Sequence, residues 1–205
     1  MFLSVAHSIS VISNSRLNAL GRACILIEER LGIAFNVTVF STLPMSDLVL
    51  PQRFISHYQR LSEKPSVKEY CTLSQRTDFE KSQLCLLFFT RLVPECIYAT
   101  KPTINFHPSL LPEHPGLSGY MSAIRAKQLA ITAHIVDSTI DEGRILRQMM
   151  IAPFPFYLSK DELRNESSLL CSSAIISMLK DFPVIEARSC QYFTSGNRSI
   201  DSNFS

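Results

Sequence analysis

The order of hydrophobic patterns at the amino end of the chain constrains the fold more than any other feature. Residues 8–13 alternate between apolar and polar side chains as a strand does. From Leu17 to Leu31, apolar residues recur at intervals of three and four, the spacing of one helix face. Residues 35–40 are again rich in β-branched and aromatic side chains, which strands favour. Strand, helix and strand in this order predict a parallel crossover and hence an α/β fold.

The sequence also predicts where the first helix begins and ends. Ser13 or Ser15 is expected to cap its amino end, and Gly32 is expected to end it. The region after the second strand is less regular. Pro51 suits the start of a helix, and residues 76–81 are polar enough to be exposed.

The middle of the chain contains the sheet's predicted centre. Residues 84–89 form a short, wholly apolar run, which is typical of a strand buried on both faces. Further strands are predicted at residues 102–107, 131–136 and 145–151, with a helix at residues 118–127. Only a short polar turn joins the last two strands, so they must be antiparallel.

The carboxyl end predicts one long helix followed by a tail. Ser159 and Glu162 form a capping box. The apolar face of the helix that follows is made by Leu163, Leu170, Ala174 and Met178. Residues 185–205 are expected to be a frayed tail. We therefore predict one domain over residues 1–205, a three-layer α/β fold with a mostly parallel sheet and an antiparallel C-terminal strand.

Composition narrows the class of protein. The chain has 205 residues, 46% of them hydrophobic, which is enough for one sizeable core. The formal charge of +2 is not concentrated in any run, so nucleic acid is not expected as a partner. No secretory signal or bilayer-length apolar stretch is recognised, so we expect a cytoplasmic protein without a membrane partner. Six scattered cysteines lack zinc spacing and are expected to be buried, reduced thiols, with no metal bound: Cys24, Cys71, Cys85, Cys96, Cys171 and Cys190.

One segment, INFHPSLLP at residues 104–112, carries the chemistry. Because side chains alternate along a strand, Asn105 and His107 point to the same face. Pro108 cannot continue the ladder, so the strand should end there and present both polar groups. A further acid, Asp141, lies in the later polar turn.

The stretch from Ile104 to about Pro153 resembles the folate-dependent formyltransferases, most closely the glycinamide ribonucleotide branch. The resemblance rests on the Asn-x-His-Pro-Ser-Leu-Leu-Pro segment, the Pro115-Gly116 turn, a strand containing His134, and the Asp-x-Gly loop at residues 141–143. Four elements in the right order are far more specific than one short motif.

The resemblance implies a Rossmann-like formyltransferase fold and transfer of a formyl group from 10-formyltetrahydrofolate to a primary amine, in one-carbon metabolism and purine biosynthesis. It implies catalytic roles for Asn105, His107 and Asp141. It implies folate contacts for Phe89, Thr90, Arg91, Leu92, Val93, His134 and Ile140. It implies contacts with a small, in some members phosphorylated, amine for Ser13, Asn14, Ser15, Arg16, Pro108, Ser109 and Gly116. A homodimer is left open.

These residue types suit formyl transfer. The reaction passes through a tetrahedral intermediate with a developing oxyanion, so the site needs hydrogen-bond donors aimed at that oxygen. Asn105 is an uncharged donor, and His107 is a charged one when protonated. We expect Asp141 to favour the imidazolium form of His107, to lower its own pKa in return, and to take the proton that leaves the amine.

Two departures from the family pattern keep alternatives open. Phe88 stands where the family usually has glycine, and we expect it to narrow the pterin pocket. Residues 12–18 contain no glycine, whereas the family has a glycine-rich phosphate loop there. The alternatives are an amino sugar carried on a nucleotide as the acceptor, water as the acceptor in a hydrolase, or a degenerate member of the fold that has lost activity.

Overall fold

Seven strands form one mixed sheet in the order β3-β2-β1-β4-β5-β6-β7. The computed structural model describes residues 7–88 and 92–180. The strands are β1 His7–Ser13, β2 Phe35–Ser41, β3 Ile55–Arg60, β4 Leu84–Phe88, β5 Thr103–His107, β6 Leu129–Ile135 and β7 Ile145–Ile151. The helices are α1 Asn18–Leu31, α2 Val67–Ser74, α3 Thr77–Lys81, α4 Glu95–Tyr98, α5 Gly119–Arg125 and α6 Lys160–Lys180.

Of the seven strands in this sheet, β6 runs opposite to the other six. β1 to β5 pair in parallel, whereas β6 pairs antiparallel with β5, and β7 pairs antiparallel with β6. The predicted α/β fold with antiparallel pairing of Ile145–Ile151 is confirmed, and the strand that runs against the rest of the sheet is its neighbour β6. β4 lies at the centre of the sheet, as its apolar sequence predicts. The carboxyl ends of β1, β4 and β5 therefore lie along the same edge of the sheet.

Two apolar clusters lie on opposite faces of the sheet and give the three layers. One cluster joins the sheet to α1 and α6, with Leu20 and Ile175 fully buried. The other joins it to α2, α3 and α4, with Leu73, Phe79 and Ile97 buried against the strands. The predicted inner face of α6 is confirmed, because Leu163, Ala174 and Met178 are buried and Leu170 packs against the core.

Several local predictions are wrong. α1 begins after Leu17, which adopts a left-handed backbone (φ 61°), and no side chain caps it, so neither Ser13 nor Ser15 is its cap. Pro51 precedes a single 3-10 turn rather than a helix, and strand β3 follows, which was not predicted. Phe79, within the segment expected to be exposed, is fully buried.

Other predictions hold or lie beyond the described residues. Gly32 ends α1 in the left-handed conformation (φ 65°), as expected. Of the cysteines, Cys71 and Cys96 are only half-buried, which corrects the expectation that all are buried. Cys190 and the predicted tail at residues 185–205 lie outside the described residues. No helix among residues 7–88 and 92–180 is long and apolar enough to cross a membrane.

Candidate active site

β5 delivers two polar side chains to one position on the sheet. His107 is the last residue of the strand, and Pro108 follows it. Asn105 lies level with Leu87 of β4 and His134 of β6, so these side chains share a face. His107 is 6% exposed, and its Nε2 atom lies 2.8 Å from the carbonyl oxygen of His114. The sequence-predicted pair therefore lies together in a largely desolvated setting.

The turn after β5 is braced by buried hydroxyl groups. Ser109 Oγ donates to His114 O (2.7 Å), the same oxygen that His107 approaches. Thr132 Oγ1 donates to Ser109 O (2.7 Å) and accepts from Leu111 N (3.2 Å). Because Ser109 is fully buried, its predicted contact with the substrate does not fit this placement, and the residue instead holds the turn.

Asp141 reaches the site by a route that the sequence does not reveal. β6 ends at Ile135, which pairs with Ile104 near the start of β5, so the connection to β7 leaves the sheet away from His107. It then folds back across the face that carries Asn105. The loop packs so closely on β6 that a Cβ atom at Gly143 would overlap the carbonyl oxygen of Ile135.

The carboxylate of Asp141 lies between two histidines. Its Oδ2 atom is 3.4 Å from His107 Nδ1, and its Oδ1 atom is 3.5 Å from His134 Nε2. The backbone of Asp141 is left-handed (φ 56°), a conformation that Asp tolerates better than most residues. The N–H of Gly116 donates to Oδ2 (2.7 Å), so Gly116, which was predicted to bind substrate, holds the carboxylate.

The pKa values of Asp141 and His107 are both lowered. Hydrogen bonding with His134, the Gly116 N–H and the neighbouring histidines lower the pKa of Asp141 to about 2, although its burial opposes this. Burial lowers the pKa of His107, and this outweighs the His114 carbonyl and the charge of Asp141, which both raise it. Asp141 therefore favours the imidazolium form of His107, as expected, but burial outweighs this contribution and the net shift of the His107 pKa is downward.

His134 orients Asn105. Its Nε2 atom lies 3.2 Å from Asn105 Nδ2, and its Nδ1 atom lies 3.1 Å from the carbonyl oxygen of Ile135. When Nδ1 carries the proton and donates to Ile135, the bare Nε2 accepts from the amide of Asn105. A proton on Nε2 would instead be donated to Asp141. His134 is buried, so its ring contacts Asn105 from within the protein and not from the surface.

The amino-terminal loop lies on the same edge of the sheet. Ser13 is fully buried, its Oγ accepts from Ser15 N (2.9 Å), and Asn14 N donates to Phe88 O (3.3 Å). Arg16 is exposed. β1 and β5 are separated by β4 alone, which places this loop about 10 Å from Asn105 across the sheet.

The segment predicted to line the folate pocket is described only in part. Phe89, Thr90 and Arg91 lie outside the described residues. Leu92 is 69% exposed and Ile140 is 56% exposed, whereas Val93 packs against the core.

Phe88 does not narrow the face that carries Asn105. Its ring stacks on Phe106 with 5.2 Å between ring centroids, in the cluster on the opposite face of the sheet. The predicted narrowing of the pterin pocket by Phe88 therefore does not fit this placement.

Sequence reasoning missed three residues that shape the site. His114 supplies the carbonyl oxygen that meets His107, and Thr132 braces the turn. A Cβ atom at Gly119 would lie 2.5 Å from His107 Nε2, so the absence of a side chain there makes room for the imidazole. The INFHPSLLP motif does not point to any of them, because each acts through the folded turn.

Residues 46–179 match the sequence model of the protein family described as Formyl transferase. Phosphoribosylglycinamide formyltransferase of Bacillus subtilis is 35% identical over 94 residues, which is 43% of this chain and 48% of that protein. The enzyme of the same name from Haemophilus influenzae is 41% identical over 54 residues, which is 25% of this chain and 26% of that protein. The chain thus aligns with about half or less of each of these two curated relatives.

Solved structures resemble the fold over most of the chain. Glycinamide ribonucleotide transformylase 1 from Symbiobacterium toebii superimposes with a TM-score of 0.68 at 23% identity, covering 85% of this chain and 87% of that one. Phosphoribosylglycinamide formyltransferase from Campylobacter jejuni gives a TM-score of 0.69 at 17% identity, covering 88% and 100%. A sugar N-formyltransferase from a Shewanella species gives 0.59 at 16% identity, covering 86% and 69%. At these identities the likeness concerns the fold.

Proposed function

The chain belongs to the formyl transferase family, and we propose that it transfers a formyl group from 10-formyltetrahydrofolate to a primary amine, with glycinamide ribonucleotide as the first candidate acceptor. One observation carries the proposal. Asn105, His107, His134 and Asp141 converge on one face of β5 and β6, within 3.5 Å of one another in a connected chain. Neutral donor, imidazole and carboxylate are the groups that this reaction needs.

Asn105 serves the formyl oxygen in this proposal. Attack by an amine on the formyl carbon builds negative charge on that oxygen. The amide of Asn105 has two N–H donors, and the hydrogen bond with His134 uses one of them. That bond fixes the amide so that its second N–H is preorganised for the oxyanion.

Asp141 and His107 move the proton. The Gly116 N–H stabilises the carboxylate of Asp141 also when His134 Nε2 accepts from Asn105, so Asp141 is ionised at neutral pH and accepts the proton that leaves the amine, directly or through water. Its Oδ2 atom is 3.4 Å from His107 Nδ1, so a small approach of the two side chains on substrate binding brings them within hydrogen-bond reach to pass that proton on. Since burial keeps the free imidazole neutral, His107 becomes charged only as the oxyanion forms, when its charge stabilises the transition state.

The exposed apolar side chains near the site fit the donor. Leu92 follows β4, and Ile140 precedes Asp141, and both present more than half of their surface to solvent. A flat pterin ring would cover apolar surface of this kind. The folate donor, when bound, supplies the formyl group on a nitrogen that can leave.

The amino-terminal loop supports a phosphorylated or otherwise anionic acceptor. α1 has no acidic residue in its first turn and no side-chain cap, so its first N–H groups point to the edge on which β5 ends. The exposed Arg16 lies beside them. A separation of about 10 Å from Asn105 suits a small amine with a phosphate at its far end.

A nucleotide-linked amino sugar is the second candidate acceptor. The observation in its favour is that residues 12–18 contain no glycine, and Leu17 instead holds the left-handed position. Glycine lets a phosphate approach the backbone most closely, and this loop offers none.

The test offers each amine with 10-formyltetrahydrofolate and follows folate absorbance. The Asn105→Ala variant, purified in the same way, controls for contaminating activity. Turnover with glycinamide ribonucleotide that the variant lacks supports the first candidate. Turnover with the amino sugar alone supports the second. The absence of turnover with either amine, although folate binds, would refute an active transferase of these two acceptors and favour a degenerate member.

A further inference from the structure

Two cysteines from different helices meet on the side of the sheet that carries Asn105. Cys71 lies in α2, and Cys96 lies in α4, which starts directly after Pro94. Their Sγ atoms are 3.2 Å apart, although the residues are 25 positions apart in the sequence. Both side chains are half-buried, so small solutes reach them from solvent.

The other described cysteines are in a different setting. Cys24, Cys85 and Cys171 are buried, and desolvation raises the pKa of each thiol to about 12. Because the thiolate is the form that reacts, these three thiols are protected from oxidants. Burial and the adjacent Cys71 raise the pKa of Cys96 as well, so what distinguishes this pair is its access to solvent and the 3.2 Å between the two sulfur atoms.

We propose that Cys71 and Cys96 form a redox-active dithiol that closes to a reversible disulfide when a peroxide reaches it. A disulfide bond is about 2.05 Å long, so the sulfur atoms must approach by about 1 Å more, which side-chain rotation supplies. The bond joins α2 to α4 and thereby fixes the start of α4 beside residues 92–94.

The chemistry balances with hydrogen peroxide as the oxidant. One thiolate attacks a peroxide oxygen, the O–O bond breaks, and a sulfenic acid and hydroxide form. The second thiol then attacks the sulfenic sulfur and displaces water. Overall, two thiols and one peroxide give one disulfide and two waters, and a dithiol reductant reverses the change by exchange.

Peptide mapping of the full chain tests the proposal. The reduced protein is treated with hydrogen peroxide, remaining thiols are alkylated, and the protein is digested with trypsin without reduction. Cleavage skips Lys101 because Pro102 follows it, so residues 69–76 carry Cys71 alone and residues 92–125 carry Cys96 alone. The expected result is loss of both free peptides and the appearance of one linked species, which dithiothreitol reverses.

The controls make the result specific. Cys71→Ser and Cys96→Ser should each abolish the linked species, whereas Cys190→Ser should keep it. Sulfinic acids on the separate peptides, or a link from either cysteine to Cys190, would overturn the proposal. The wild-type map is decisive even if a variant fails to fold. Since no folate or amine is present, the outcome is independent of the proposed formyl transfer.

Discussion

At the scale of single residues, Asn105 is the group whose loss is easiest to interpret. Its side chain is neutral, and His134 already fixes its orientation (3.2 Å). We expect Asn105→Ala to lower kcat at least a hundredfold, since removal of one oxyanion donor costs about 3 to 4 kcal/mol. Steady-state kinetics with the preferred amine measure this. Asn165→Ala, on the exposed face of α6, is the matched control and should leave kcat unchanged. Equal kcat in both variants would exclude Asn105 as a donor.

Asp141 makes a prediction about stability and pH. Its pKa falls from the usual 3.8 to about 2, which corresponds to at most about 2 kcal/mol, reduced by solvent screening. A depressed folded-state pKa stabilises above the unfolded value, and this contribution is lost as the pH falls from about 4 to about 2. We expect Asp141→Asn to lower the free energy of unfolding at pH 5 more than at pH 2.

Urea unfolding at the two pH values measures the difference. Asp161→Asn, at an 89% exposed side chain of α6, is the control and should change the free energy of unfolding by less than about 1 kcal/mol at either pH. If Asp141→Asn is equally destabilising at both pH values, the carboxylate charge is not what the folded state stabilises.

The sequence predicted these side chains because strand alternation is a local rule. It placed Asn105 and His107 on one face, and both lie there. It could not give the direction of the His107 pKa, because burial depends on the turn that packs around the ring. The His114 carbonyl and Gly116 N–H are likewise backbone atoms, and their positions follow from tertiary structure rather than from residue type.

At the scale of elements, the β6–β7 connection decides where Asp141 lies. Gly143 sits where a Cβ atom would overlap the carbonyl oxygen of Ile135, while Ile135 N donates to Arg144 O (2.9 Å). Gly143→Ala must therefore push the loop away from β6 and carry Asp141 with it. We expect kcat to fall at least tenfold, because displacement of a positioned group by about 1 Å commonly costs up to about a hundredfold.

Gly32 provides a control that separates the effect of loop displacement from the effect of backbone strain. Gly32, at the end of α1, has a positive φ (65°) and open space around its Cβ position. Gly32→Ala should cost about 1 kcal/mol of stability through strain alone and leave kcat unchanged. Kinetics and thermal unfolding of both variants make the comparison. Normal turnover in Gly143→Ala would show that the loop does not position a catalytic acid.

Helices and strands with a regular apolar pattern were predicted from the sequence. Those whose position depends on packing against distant segments were not. β4 is wholly apolar and was placed at the centre from its sequence alone. β3 lies at the sheet edge with half-exposed residues such as His57 and Tyr58, so its pattern lacks the apolar alternation of a strand with a buried face. α1 starts after Leu17, and the loop before it is tied to β4 by the hydrogen bond from Asn14 N to Phe88 O, a contact between distant segments.

At the scale of the molecule, α6 links the two ends of the chain that the structure describes. It packs against α1 near the amino end and against β6 and β7, whose connection carries Asp141. Cys171, Ala174, Ile175 and Met178 are buried in the same cluster as Leu20 of α1. The layer that α6 completes lies on the face opposite Asn105, so it supports the sheet without touching the site.

Because α6 lies on the face opposite Asn105, we expect substitutions in the α6 layer to change stability and to leave catalysis nearly unchanged. Ile175 is fully buried, and Ile175→Ala should lower the free energy of unfolding by about 2 to 5 kcal/mol through lost burial and the cavity left behind. Below the unfolding transition, kcat should stay within about twofold of wild type, because hydrogen bonds within the turn after β5 hold the polar cluster in place.

Leu169→Ala, at a 46% exposed position on α6, is the control and should change stability by less than about 1 kcal/mol. Denaturant unfolding with kinetics on the same samples decides the matter. A large fall in kcat for folded Ile175→Ala would mean that the α6 layer sets the geometry of Asn105 and His107 through the sheet.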